Sequence, residues 1–130
     1  MTMPLKILIV DDSATARMFV LRCLQISRVF ESAEYLEAGN GVEALKLLHE
    51  HAVAMVFTDL TMPEMDGESL FKRIMANPKL NEIPVVVISS AGNPAKDRQL
   101  LDMGVRAVVK KPVSPAKLAE VFHGMGNLPK

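Results

Sequence analysis

The chain of 130 residues lacks the features of several large functional classes. It holds one cysteine, Cys23, which excludes an internal disulfide and a cysteine-ligated metal cluster and suits a reducing compartment. No charge of either sign is in excess: Lys plus Arg and Asp plus Glu number 15 each, and the pI is near 6.8. A binder of nucleic acid or of an anionic lipid surface carries a basic surplus, so neither function is expected. Long hydrophobic runs are missing too. Ile7 to Val10 and Val85 to Ile88 are far too short to span a bilayer, and Met1 to Lys6 has no signal-peptide pattern. There is no P-loop motif, and Gly39-Asn40-Gly41 lacks the third glycine of a dinucleotide fingerprint, so it reads as a turn with Asn40 capping a helix. These absences predict a soluble, cytoplasmic protein with no membrane insertion and no nucleic-acid partner. Its 49% hydrophobic and 23% charged residues are ordinary for a globular domain with one core.

What is present is a regular alternation. Ile7 to Val10, Val53 to Phe57, Val85 to Ile88 and Ala107 to Val109 are short apolar runs without polar alternation, as in strands buried on both faces. Glu34 to Ala38 mixes acids with Tyr35 and Leu36, as a half-exposed edge strand would. Helical spacing separates these runs. Ala16, Phe19, Val20, Cys23 and Leu24 form one apolar stripe, followed by Gly41, Ala44, Leu45 and Leu48, then Gly67, Leu70, Phe71 and Ile74, and finally Leu118, Val121 and Phe122. Asn93-Pro94 and Ser114-Pro115 each set a capping side chain before proline at a helix start, and Gly104 closes the helix begun at Pro94. Five strands alternating with five helices predict a doubly wound α/β fold: a parallel sheet with helices on both faces. The nine methionines are expected mostly in the core, with Met62 and Met65 in a loop beside the strand ends.

In such a sheet, ligands bind beyond the carboxyl ends of the strands. There the first strand delivers Asp11-Asp12, the third Asp59, the fourth Ser89-Ser90 and the fifth Lys110-Lys111. Each residue alone has an ordinary reading as a cap, a turn or a solvated charge. Together they put three acids, a hydroxyl and an ammonium on one rim. Converging carboxylates repel unless protonated or neutralised, and magnesium suits such a site because it keeps several waters and bridges to phosphate oxygens. One acid is then free to attack a phosphoryl group while the cations balance its charge.

These residues strongly resemble the response-regulator receiver domain of two-component signalling, over essentially the whole chain. The marks are Ile7-Leu8-Ile9-Val10-Asp11-Asp12-Ser13, Phe57-Thr58-Asp59-Leu60-Thr61-Met62-Pro63-Glu64-Met65-Asp66-Gly67, Pro84-Val85-Val86-Val87-Ile88-Ser89-Ser90 and Val109-Lys110-Lys111-Pro112. The resemblance implies a flavodoxin-like (βα)5 sheet of order 2-1-3-4-5. It implies Asp59 as phosphoacceptor, and Asp11, Asp12, Asp59 and the Thr61 backbone carbonyl as ligands for Mg2+. Ser89 would be the switch hydroxyl and Lys111 the phosphoryl-binding lysine, its bond to Pro112 cis. Thr61 and Ala91 would flank the path of the hydrolytic water. The phosphoryl donor would be a histidine kinase or a histidine phosphotransfer protein, and the domain a signalling phosphoacceptor rather than an enzyme, assisting its own phosphorylation and autodephosphorylation.

Two departures stand out. Val108 replaces the aromatic residue common in the family, so an aromatic rotamer switch is excluded, and Ser90 replaces the usual alanine. The receiver is expected over residues 1–124, with 125–130 a C-terminal tail and no output domain, so that output is a contact with another protein through residues 94–122. That pattern resembles chemotaxis-type or phosphorelay regulators. Ser89 and Lys111 are both expected to move toward a phosphoryl group. Other readings are a constitutive interaction module with a receiver fold, a fragment of a larger regulator, and an aspartyl-phosphate phosphatase. The last is disfavoured because Thr61 stands where a second acid is needed. His49, His51 and His123 do not share a helical face and read as surface or helix-end residues.

Overall fold

The computed structural model describes residues 4–30, 32–90 and 92–125. Its elements alternate throughout: β1 (Leu5–Val10), α1 (Ala14–Ser27), β2 (Ala33–Ala38), α2 (Gly41–Glu50), β3 (Val53–Asp59), α3 (Gly67–Ala76), β4 (Val85–Ser89), α4 (Pro94–Met103), β5 (Ala107–Lys110) and α5 (Pro115–Met125). The strands form one sheet in the order β2-β1-β3-β4-β5, and every pairing is parallel. The doubly wound fold and its strand order are those expected.

Period-two alternation divides the core. Ile7 and Ile9 of β1, Met55 and Phe57 of β3, and Val86 and Ile88 of β4 pack with Val20, Cys23 and Leu24 of α1 and Leu118 and Phe122 of α5. Leu8, Val10, Val56, Val85 and Val87 point to the other face, against Ala44 and Leu48 of α2, Leu70, Phe71 and Ile74 of α3, and Leu100 of α4. Each side of the sheet is thus covered, as uninterrupted apolar strands require.

The caps follow the sequence. Asn40, Asn93 and Ser114 accept backbone N–H bonds from Glu43, Lys96 and Lys117, at 2.8, 3.1 and 3.1 Å. Ser13 and Asp66 do the same for α1 and α3. Gly104, at φ 114°, ends α4 in the left-handed conformation that glycine takes without a Cβ penalty.

Two expectations need correction. Phe19 shares the spacing of the α1 stripe but is exposed, because the contact with the sheet and α5 runs along Val20, Cys23 and Leu24 and leaves Phe19 at its margin. Of the described methionines only Met55 and Met62 are buried, while Met18 and Met75 lie in solvent. α5 runs to Met125; residues 126–130 of the expected tail lie outside the described residues, as does Ala91. No described helix is long and apolar enough to cross a membrane.

Candidate phosphoryl site

β1 and β3 are neighbours, but the chain leaves β1 for β2 on one side and returns to β3 on the other. Their carboxyl ends therefore flank the point where the strand order reverses, the position at which an open α/β sheet leaves a crevice. Asp11 and Asp12 directly follow β1, and Asp59 is the last residue of β3. One ligand oxygen from each of the three lies within 4.8 Å of the others. Asp11 and Asp59 are buried, at 5% and 6% exposure, and Asp12 faces solvent. Burial pushes the Asp11 carboxyl above its ordinary value; the nearby Asp59 and Asp12 charges push the same way, against the Ser13 N–H and Lys111.

Backbone bonds fix the two loops that carry them. The Ser13 N–H donates to Asp11 Oδ1 at 2.9 Å, and Arg17 Nη1 donates to the Asp11 carbonyl at 2.6 Å while its Nε bonds Glu37 of β2. Past β3, the Leu60 N–H donates both to Asp59 Oδ1 and to the Ile88 carbonyl, each at 3.0 Å. The Gly67 N–H then returns to the Leu60 carbonyl at 2.8 Å. A Cβ on Gly67 would stand 2.4 Å from the Asp59 carbonyl oxygen, so the start of α3 is pressed against the backbone of Asp59 itself. Thr61 is exposed within the same loop.

The cationic side comes from β5. Lys111 Nζ lies 3.0 Å from Asp59 Oδ1, so this lysine is already in place. Its backbone N–H donates to the Ser89 carbonyl at 2.8 Å, and Lys117 of α5 donates to the carbonyls of Lys110 and Pro112, at 3.2 and 2.8 Å, holding the loop from the other side. The Lys111–Pro112 bond is cis. Ser89 ends β4 and is buried, but its hydroxyl donates to Asp97 Oδ1 of α4 at 3.4 Å. Lys110, the β5 partner of Ser89 in register, pairs with the other oxygen of Asp97.

All the residues expected at the rim thus sit on the expected strand ends, and Asp11, Asp12, Asp59 and Lys111 meet at one point. Sequence reasoning passed over Arg17, Gly67 and Asp97. Gly67 stands in the sequence as an apolar-face residue and as the end of a family mark, but neither tells of its approach to the Asp59 backbone, and nothing local marks Asp97, since its partners come from two strands. A family model for the response regulator receiver domain matches residues 7–123.

The chain belongs to the response regulator receiver family. Relatives include chemotaxis protein CheY1 of Helicobacter pylori, 38% identical over 117 residues, covering 89% of this chain and 92% of that protein. Two-component response regulator ORR11 of Oryza sativa subsp. japonica is 37% identical over 120 residues, covering 92% of this chain and 79% of that protein. Among solved structures, the REC domain of AraT, a response regulator from Geobacillus stearothermophilus, aligns with TM-score 0.77 at 31% identity, over 95% of this chain and 93% of that one. The chemotaxis response regulator CheY4 of Vibrio cholerae shares the fold with TM-score 0.79 at 24% identity, over 95% and 99% of the two chains. In this receiver domain Val108 is half-buried and packs toward the layer that contains α4, so the aromatic position is filled by a short side chain with a single χ angle.

Proposed function

We propose that this receiver domain accepts a phosphoryl group on Asp59 from a phosphohistidine of a kinase or phosphotransfer protein, and signals through a phosphorylation-dependent protein contact in the cytoplasm. The observation that carries this reading is the environment of Asp59: a buried carboxylate with Lys111 3.0 Å from Oδ1 and two further acids beside it. Oδ1 also takes the Leu60 N–H, whereas Oδ2 has no hydrogen-bond partner among the described residues and is the oxygen left to attack phosphorus. The P–N bond to the imidazole breaks as the P–O bond forms, and the imidazole leaves with its electron pair. Lys111 is placed to balance charge on the phosphoryl oxygens.

The cluster of Asp11, Asp12 and Asp59 fits a hard cation with oxygen ligands, and the Thr61 carbonyl is proposed to join them. Bound Mg2+ would neutralise these acids and the equatorial oxygens of the phosphoryl group. Asp11 and Asp12 hold that charge, and the Ser13 N–H and Arg17 orient the loop they share. The same oxygen-rich site supports autodephosphorylation, with Thr61 beside the path of the water.

How the signal leaves follows from what changes. A phosphoryl group adds roughly 1.5 to 2 negative charges near neutral pH. Inverting a 1:99 equilibrium needs about 5.5 kcal/mol of differential interaction, and one charge-assisted hydrogen bond supplies about 1.5 to 3. Lys111 already contacts Asp59, so much of its contribution is present in both states. The expectation that both donors move is replaced by recruitment of Ser89, with target binding at residues 94–122 supplying the remainder. Incubation with acetyl phosphate and magnesium should add one phosphoryl group, read by intact mass, and Asp59→Asn should abolish it. An equal mass gain in that variant overturns the reading.

A further inference from the structure

The hydroxyl of Ser89 is committed elsewhere. Its hydrogen bond goes to Asp97 in the first turn of α4 rather than to Asp59. Asp97 is held for this purpose from two directions. Its N–H donates to the Asn93 carbonyl at 3.2 Å, and its Oδ2 pairs with Lys110, leaving Oδ1 for Ser89. The Lys110 ammonium is itself buried and has no hydrogen-bond partner among the described residues, so the ion pair with Asp97 is what offsets its burial. Register places Lys110 directly beside Ser89 on the neighbouring strand. Hydroxyl, carboxylate and ammonium thus form a three-member clip across β4, α4 and β5.

We propose that Asp97 is a positioning residue for Ser89: it occupies the hydroxyl's proton in the unphosphorylated chain and so sets the threshold for recruiting Ser89 to the phosphoryl group. This rests on the reading of Asp59 as phosphoacceptor. The distance of 3.4 Å is long for an O–H···O bond, so the tie is weak enough to lose. A phosphoryl group offers three charged oxygens and a shorter, charge-assisted bond. Once the hydroxyl transfers, Asp97 retains Lys110 alone, and the first turn of α4 loses its link to β4. The signal therefore crosses to α4 through a carboxylate that gives up a donor, with no aromatic side chain required.

The test uses beryllofluoride with magnesium as the phosphoryl mimic, titrated against the whole chain and followed by amide NMR shifts. Asp97→Ala should tighten beryllofluoride binding about two- to threefold, the low end of what a hydrogen bond is worth, as a bond of 3.4 Å requires. In a Ser89→Ala background the same substitution should change nothing. A gain that persists without the hydroxyl is a general charge effect and overturns the proposal, as does no gain with Ser89 present. Asp97→Ala leaves Lys110 unpaired in a buried position, so Asp97→Ala with Lys110→Met is measured in parallel, with the same dependence on Ser89 expected. Failure of the wild-type chain to bind beryllofluoride at Asp59 instead overturns the phosphoacceptor reading itself.

Discussion

The two flanks of Asp59 are built differently. On one flank, α3 buries Gly67, Leu70, Phe71 and Ile74, and its first residue is wedged against the Asp59 backbone. On the other, α4 has the same length of 10 residues and the same kind of side-chain cap, yet buries Leu100 alone. Its first turn is held by polar ties instead: Lys96 to Glu68 of α3, and Asp97 to Lys110 and Ser89. A buried aliphatic or aromatic side chain stabilises by about 1.5 to 3 kcal/mol, whereas an ion pair gives back much of its attraction in the desolvation of its charges. Apolar burial does not respond to a new charge at Asp59, whereas polar ties can be redirected by it. The α3 flank is therefore the frame of the site and the α4 flank its adjustable part.

The most severe way to break this contrast is to loosen the frame. Gly67→Ala places a Cβ in a space that ends 2.4 Å away at the Asp59 carbonyl oxygen, a backbone atom that cannot rotate aside. Either α3 lifts or the Asp59 backbone shifts. A loss of about 1 to 3 kcal/mol in urea unfolding is expected, typical of overpacking. Phosphorylation by acetyl phosphate should slow as Asp59 leaves its contact with Lys111. Unchanged stability together with an unchanged rate would show that the frame is softer than its geometry implies.

A smaller effect, opposite in sign, comes from the acids of that frame. Asp11 has a raised pKa through burial and its acidic neighbours, so the folded state resists its ionisation. The unfolded chain ionises it near 3.8; stability is therefore penalised as pH rises from that value through the higher folded pKa, and the penalty is complete above it. Asp11→Asn keeps an oxygen for the Ser13 N–H and removes the charge. In chelator at neutral pH it should raise stability by about 1 kcal/mol, or about 3 to 5 °C in Tm. The gain should vanish at acid pH, and added magnesium should stabilise the wild type more than the variant. A variant less stable than wild type in chelator at neutral pH contradicts this.

The frame was far easier to read in the sequence than the adjustable flank. β1, β3 and β4 announce themselves as apolar runs ending in Asp11, Asp59 and Ser89, because local pattern and burial agree there. α3 is equally legible, since all four of its stripe residues are buried. Phe19 misled because helical spacing gives the width of an apolar stripe but not which margin meets a neighbour. Lys110 and Asp97 were opaque for another reason: their pairing joins residues 13 apart across a strand and a helix, and no periodicity encodes it. Whether Lys111 already touched Asp59 was likewise beyond any pattern, because it depends on how Lys117 holds the loop.

The finest distinction between the flanks is the bridge that joins them. Glu68 sits in the first turn of α3 and binds Lys96 of α4 and, at 3.1 Å, Lys72 one helical turn onward. Lys96 and Lys72 together hold its carboxyl below the ordinary value of 4.5. A depressed carboxylate contributes stability above its unfolded pKa and loses it as pH falls through the folded one. Glu68→Gln should therefore cost at most about 1 kcal/mol at neutral pH, and nothing once the solution is acidic enough to protonate Glu68 in the folded chain. Salt should shrink the difference as well, because the Debye length falls to about 3 Å at 1 M. Amide exchange separates the two helices: protection in the first turn of α4 should fall, while that of Leu70 to Ile74 in α3 holds, since apolar burial and not the bridge anchors α3. Equal loss of protection in both helices would mean that they share one attachment, and the contrast between frame and adjustable flank would fail.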